Sequence, residues 1–139
     1  MRRAATWALV ALLGGGGLVA AGSKTDTGKP RLEMRASPRM AFPPVNVFLV
    51  AELKGGEAVE EFYCPGLVWD WGDGTRSSEE GDCPPYYDGV ELDRFFSAHH
   101  AYGRPGTYEV KLTMRRASHT VAEARVPIYV YGGEGGWSE

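Results

Sequence analysis

From residue 32 onward the chain is built of short runs in which apolar and polar residues alternate, each cut off by Gly, Pro or Asp. A period of two is the mark of strands with one buried and one wet face, and it restricts the chain to a β architecture. Leu32 to Ala36 alternates, and Pro38, Pro43 and Pro44 punctuate the next stretch. Val45-Asn46-Val47-Phe48-Leu49-Val50-Ala51-Glu52-Leu53 is long, rich in β-branched residues and bounded by Gly55-Gly56. Leu67-Val68-Trp69-Asp70-Trp71 sets residues 67, 69 and 71 on one face and runs into the turn Gly72-Asp73-Gly74. Thr75 to Asp88 is acidic, Pro-containing and aperiodic, which predicts a long loop. Strand pattern resumes over Glu91 to Tyr102, returns after Arg104-Pro105-Gly106 over Thr107 to Met114, and closes with an inward row of Val126, Ile128 and Val130. Pro127 cannot donate to a ladder, so the last strand is expected at an edge or at a bulge. No helical period and no internal repeat accompany these runs. Six or seven short strands of this kind predict an all-β, two-sheet sandwich.

A chain of 139 residues has room for one such domain. Its start reads as an export signal: Arg2 and Arg3 form a positive head, Ala4 to Ala20 is apolar or small, and Val19-Ala20-Ala21 suits a signal peptidase. The apolar run is shorter than the roughly 20 residues a bilayer requires and contains Gly14 to Gly17, so a membrane association is expected only if this segment stays uncleaved. The expected partition is a signal peptide at 1–22, a flexible leader at 23–30, the sandwich at 31–131 and a flexible tail at 132–139. Periplasmic, cell-surface and extracellular destinations all agree with export.

In an oxidising compartment an even cysteine count reads as a bridge, and Cys64 and Cys83 are the only candidates. Closing a loop of about 20 residues removes roughly 3 kcal/mol of unfolded-state entropy. Without Arg2 and Arg3 the chain has 13 basic against 18 acidic residues, an unfavourable balance for nucleic acid, which needs a concentrated basic surface. The pair Arg115 and Arg116 is too short to alter that.

Three motifs in order carry a family resemblance: Trp69-Asp70-Trp71-Gly72-Asp73-Gly74-Thr75, then His100-Ala101-Tyr102, then Pro105-Gly106-Thr107-Tyr108-Glu109-Val110-Lys111-Leu112. Together they resemble the PKD domain family over roughly residues 30–131. The resemblance implies an immunoglobulin-like sandwich of extracellular proteins, used as a spacer or as a module that binds protein or carbohydrate. The enlarged loop after Gly74, with its proposed bridge, departs from that pattern.

Read chemically, the motif residues are expected to hold the fold. Asp73 between two glycines suits a carboxylate accepting hydrogen bonds from its own turn, and His100, on the face of Phe96, Ala98 and Tyr102, suits an inward histidine satisfied by a backbone or turn partner. A calcium site from Asp70 and Asp73 fails the Asp-x-Asp-x-Asp-Gly spacing. A hydrolytic triad of Asp93, Ser97 and His99 lacks a nucleophile elbow. No cofactor, metal or catalytic residue is expected.

Recognition is expected where alternation leaves apolar residues outside. With Val45, Val47, Leu49 and Ala51 inward, Phe48 and Val50 face out, and with Phe96 inward, Phe95 faces out. These three form a candidate docking patch if their strands are neighbours. The loop Pro84-Pro85-Tyr86-Tyr87-Asp88-Gly89 is a second candidate, with Tyr86 and Tyr87 as the binding aromatics. The expected function is a non-enzymatic extracellular module for a protein or glycan. The alternative is a structural accessory of a cell-envelope assembly, and a hydrolase ranks behind both.

Overall fold

Alternation becomes two sheets. The computed structural model describes residues 28–57 and 60–132. In chain order the strands are β1 (Arg31–Ser37), β2 (Met40–Ala41), β3 (Val45–Lys54), β4 (Gly66–Asp70), β5 (Arg76–Glu79), β6 (Phe95–Tyr102), β7 (Gly106–Arg116) and β8 (His119–Val130), with one 3-10 turn at Glu60–Phe62. One sheet has the order β1-β3-β6 and the other β2-β8-β7-β4-β5. Every pairing is antiparallel except β2 with β8. The chain leaves the first sheet after β1, contributes β2 to the second, and returns as β3; cis peptide bonds precede Pro38 and Pro44, on either side of β2.

The core lies between the sheets and is filled by the residues that alternation turns inward. Val47, Leu49, Ala51 and Leu53 of β3 face Leu67 and Trp69 of β4, Val110, Leu112 and Met114 of β7, and Val126, Ile128 and Val130 of β8. Each large side chain withdrawn from water here contributes about 1.5–3 kcal/mol, an amount a one-residue slip of register would forfeit along a whole strand. No charged or polar residue is buried among the described residues.

Several expectations are corrected. Among the described residues there are eight strands, not six or seven. The aperiodic stretch after Gly74 is not wholly loop: Arg76–Glu79 pairs with β4 as an edge strand, and all four of its side chains are exposed, so it carries no hydrophobic period. β6 begins at Phe95 rather than Glu91, because the chain joins the ladder only where the Leu53 amide donates to the Arg94 carbonyl at 2.8 Å. Pro127 sits in a strand that is an edge for most of its length. The Tyr129 amide donates to Arg39 on the side away from β7, and a strand's amides alternate in direction. The missing N–H of Pro127 therefore points to that same open side, just short of the two-residue β2. The ladder's irregularity falls elsewhere, between Met114 and Arg115.

The expected signal peptide, leader residues 23–27 and tail residues 133–139 lie outside the described residues. Pro30, at the end of the expected leader, is buried, and Lys29 forms an ion pair with Glu61 at 3.2 Å.

Candidate binding surfaces

Trp69, Trp71, Asp73, His100, Tyr102 and Tyr108 form one connected network between the sheets. Trp69 stacks on Trp71 with ring centroids 5.6 Å apart, and Trp71 stacks on His100 at 4.5 Å, nearly parallel. His100 meets the edge of Tyr102 at 4.8 Å, and Tyr102 stacks on Tyr108 at 4.4 Å. Three polar ring atoms find partners: Tyr102 Oη donates to the Trp71 carbonyl at 2.7 Å, Tyr108 Oη to the Arg104 carbonyl at 2.7 Å, and Trp71 Nε1 to Ser77 Oγ of β5 at 2.9 Å, whereas Trp69 Nε1 is buried without a partner among the described residues. Burial, reinforced by the negative charge of Asp73, pushes the Tyr102 phenol far above its ordinary value and keeps it a donor.

Asp73 ties the turn to this network. Its Oδ1 accepts from the Thr75 amide at 3.0 Å and the Thr75 hydroxyl at 2.5 Å, and its Oδ2 accepts from His100 Nε2 at 2.7 Å. Partial burial acts to raise its pKa, but these donors outweigh it and hold the carboxyl down at about 2. An ionised carboxylate only accepts, so Nε2 of His100 carries the proton in this pair. Gly72 makes the turn possible. Its φ is +76°, and a Cβ there would lie 2.6 Å from the Glu109 carbonyl oxygen.

The same contacts occupy the atoms that a calcium reading would require. Both oxygens of Asp73 are engaged, and Asp70 accepts from the Gly72 amide at 3.1 Å and from Arg76 Nε at 3.2 Å. Among the described residues no group of three or more His, Cys, Asp or Glu is placed to hold a metal. Ser97 and His99 are exposed on the outer face of β6, no hydrogen bond among the described residues joins either to Asp93, and the His99 ring lies against Phe48 with centroids 4.7 Å apart.

Cys64 and Cys83 are bridged, with Cα atoms 6.1 Å apart. The bridge sets Tyr63, just before the first cysteine, beside the segment after the second. Tyr63 Oη donates to the Pro84 carbonyl at 2.7 Å, and its ring meets Tyr86 edge to face at 5.6 Å. Together with Ser78, Glu80, Arg115 and Arg116 these tyrosines line an open cleft of ≈ 500 Å³. Arg116 Nη1 is itself buried, without a partner among the described residues, while Nη2 lies 4.0 Å from Glu60. Tyr87, expected to bind alongside Tyr86, is exposed outside the cleft lining. Sequence reasoning missed Tyr63, Ser78, Glu80 and the two arginines. The bridge was the available signal for Tyr63, since it forces the residue before one cysteine towards those following the other.

On the outer face of the β1-β3-β6 sheet, register sets Phe48 against His99, Val50 against Ser97 and Glu52 against Phe95. Phe48 is 38% and Phe95 67% exposed, and Val50 floors the shallow groove of ≈ 420 Å³ between them, with Arg35 and Glu52 at its rim. A second exposed aromatic pair, Phe42 and Tyr131, flanks β2 with Met40. No alternation pattern in the sequence marks it.

Two facing sheets of this strand order define an immunoglobulin-like β-sandwich, the fold also seen in a PKD domain. No family model and no curated protein matches the sequence. Among solved structures the chain is similar to the PKD domain of an M14-like peptidase from Thermoplasmatales archaeon SCGC AB-540-F20, at 13% identity and a TM-score of 0.52, over 75% of this chain and 97% of that one. It also matches a CARDB domain from Pyrococcus furiosus at 12% identity and a TM-score of 0.45, over 73% of this chain and 94% of that one.

Proposed function

We propose that this chain is an exported, non-enzymatic binding module whose bridged loop takes a short glycan. The observation that carries the reading is the ≈ 500 Å³ cleft beside the disulfide, a volume suited to a small ligand. Its wall pairs the Tyr63 and Tyr86 rings with hydrogen-bonding side chains of Ser78, Glu80, Arg115 and Arg116. Sugars present apolar C–H faces and a rim of hydroxyls, so aromatic planes beside mixed donors and acceptors suit them. Export is supported by the bridge, which persists in oxidising compartments, and by the signal-like first residues.

A panel of soluble glycans tests the reading directly. Tyr86→Ala should abolish binding, because Tyr86 lines the cleft, whereas Tyr87→Ala should leave affinity within about twofold. Binding by neither protein nor variant to any glycan, or equal loss in both variants, sinks it. A second reading, a structural accessory that docks on a protein, is favoured by the exposed Phe48, Val50 and Phe95 groove.

A further inference from the structure

Each sheet of an open sandwich has two edges, and unguarded edges pair with whatever strand they meet. Three of the four edges here are guarded. β1 carries Arg31, Glu33 and Arg35, with Glu33 salt-bridged to Lys54 at 2.7 Å. β5 is only four residues and carries Arg76 and Glu79. The β8 edge carries Glu123, Arg125 and Pro127 and is capped at its end by β2.

β6 is different. Phe95-Phe96-Ser97-Ala98-His99-His100-Ala101-Tyr102 contains no Asp, Glu, Lys, Arg or Pro over eight residues. The Leu53 to Arg94 hydrogen bond fixes which β6 groups face β3. Residues paired at the same parity, Phe96, Ala98, His100 and Tyr102, point their amides and carbonyls inward along the sheet, to β3. Phe95, Ser97, His99 and Ala101 point theirs to the open edge, where no backbone hydrogen bond among the described residues receives them.

We infer that β6 pairs antiparallel with β6 of a second copy of this chain, joining two three-stranded sheets into one continuous six-stranded sheet. Side-chain sizes select this occupant and its register. The outward row alternates large and small: Phe95, Ser97, His99, Ala101. With the two-fold axis at Ala98, Phe95 lies opposite Ala101 of the partner subunit and Ser97 opposite His99 of the partner subunit, so every large residue meets a small one. All four edge amides and carbonyls on each copy then find partners. On the inner face Phe96 meets His100 of the partner subunit. Shifting the register by two residues either way sets His99 against His99 of the partner subunit or against Phe95 of the partner subunit. A symmetric interface also sets like beside like, which penalises charge, and this strand carries no acidic, Lys or Arg side chain. The edge belongs to the sheet opposite the glycan cleft, so the two proposals fail independently.

Sedimentation velocity on the full exported chain, together with amide hydrogen exchange at low and high concentration, tests the pairing. The expected result is a concentration-dependent dimer in which the amides of Phe95, Ser97, His99 and Ala101 gain protection on dimerisation. Those of Phe96, Ala98, His100 and Tyr102 are protected throughout by β3. Ser97→Lys with Ala101→Lys, both on exposed outward positions, should give a folded monomer. A wild-type chain monomeric at every concentration, or a dimer that leaves those four amides unprotected, overturns the inference whether or not the variant folds. Protection that arises only when another protein is added assigns the edge to that protein's strand and also overturns it.

Discussion

Replacing Asp73 with Asn keeps the shape of the turn but removes the charge that His100 and Thr75 are arranged to meet. Asn can still accept from Thr75, but the acceptor facing His100 loses the carboxylate's negative charge. The Asp73 carboxyl is held at about 2 in the folded protein, against 3.8 for the ordinary side chain. At about 1.4 kcal/mol per pKa unit, discounted for a site partly open to water, this corresponds to about 1–2 kcal/mol of stability. The folded-state value is the depressed one, so the contribution is complete above the unfolded pKa and is lost as pH falls towards the folded one. Urea titrations read by fluorescence of the buried Trp69 and Trp71 should therefore show D73N less stable than wild type by about 1–2 kcal/mol near neutrality. The gap should close between about pH 4 and pH 2. A gap that persists unchanged at about pH 2 would refute the electrostatic account and leave only shape as the reason for Asp73.

Gly72→Ala should destabilise by about 2 kcal/mol or more, because it adds left-handed strain to a Cβ contact at 2.6 Å from Glu109; Gly74→Ala, at φ +90° with nothing within 4 Å, should cost about half that in the same titration. Reducing the Cys64–Cys83 bridge, or replacing both residues with Ser, should cost roughly 3 kcal/mol in thermal or urea unfolding. Phe48→Ser with Phe95→Ser should change stability by about 1 kcal/mol or less while weakening recovery of any protein partner; collapse of the fold would show that these rings belong to the core.

How much of the fold was legible in the sequence depends on which faces are buried. β3, β4, β7 and β8 each turn one side to the core, so Val47, Trp69, Leu112 and Ile128 announce their strands by alternation. β5 could not be read that way: Arg76, Ser77, Ser78 and Glu79 are all exposed, and backbone pairing with β4 is all that makes them a strand. β2 is two residues long and is defined by a partner some ninety positions away, beyond the reach of any local pattern. Phe62 fills the core from a 3-10 turn with no period to reveal it. The motif residues stand out in the sequence, but the Asp73 to His100 pairing appears only once the two sheets are brought together. Of the residues lining the cleft, the sequence singled out only Tyr86 and the two bridged cysteines. Tyr63, the stretch with Ser78 and Glu80, and Arg115 come from three separate segments, and the fold, together with the bridge, is what assembles them.

If the motif network holds the sandwich while recognition resides in the bridged cleft, a ligand should disturb one set of residues and leave the other alone. Backbone amide shift mapping during titration with a bound glycan separates the two. Perturbations should cluster at Tyr63, Ser78, Glu80, Tyr86, Arg115 and Arg116, with Asp73, His100 and Tyr102 unmoved. Perturbations centred instead on Asp73 and His100, or on Phe48 and Phe95, would contradict this division of roles.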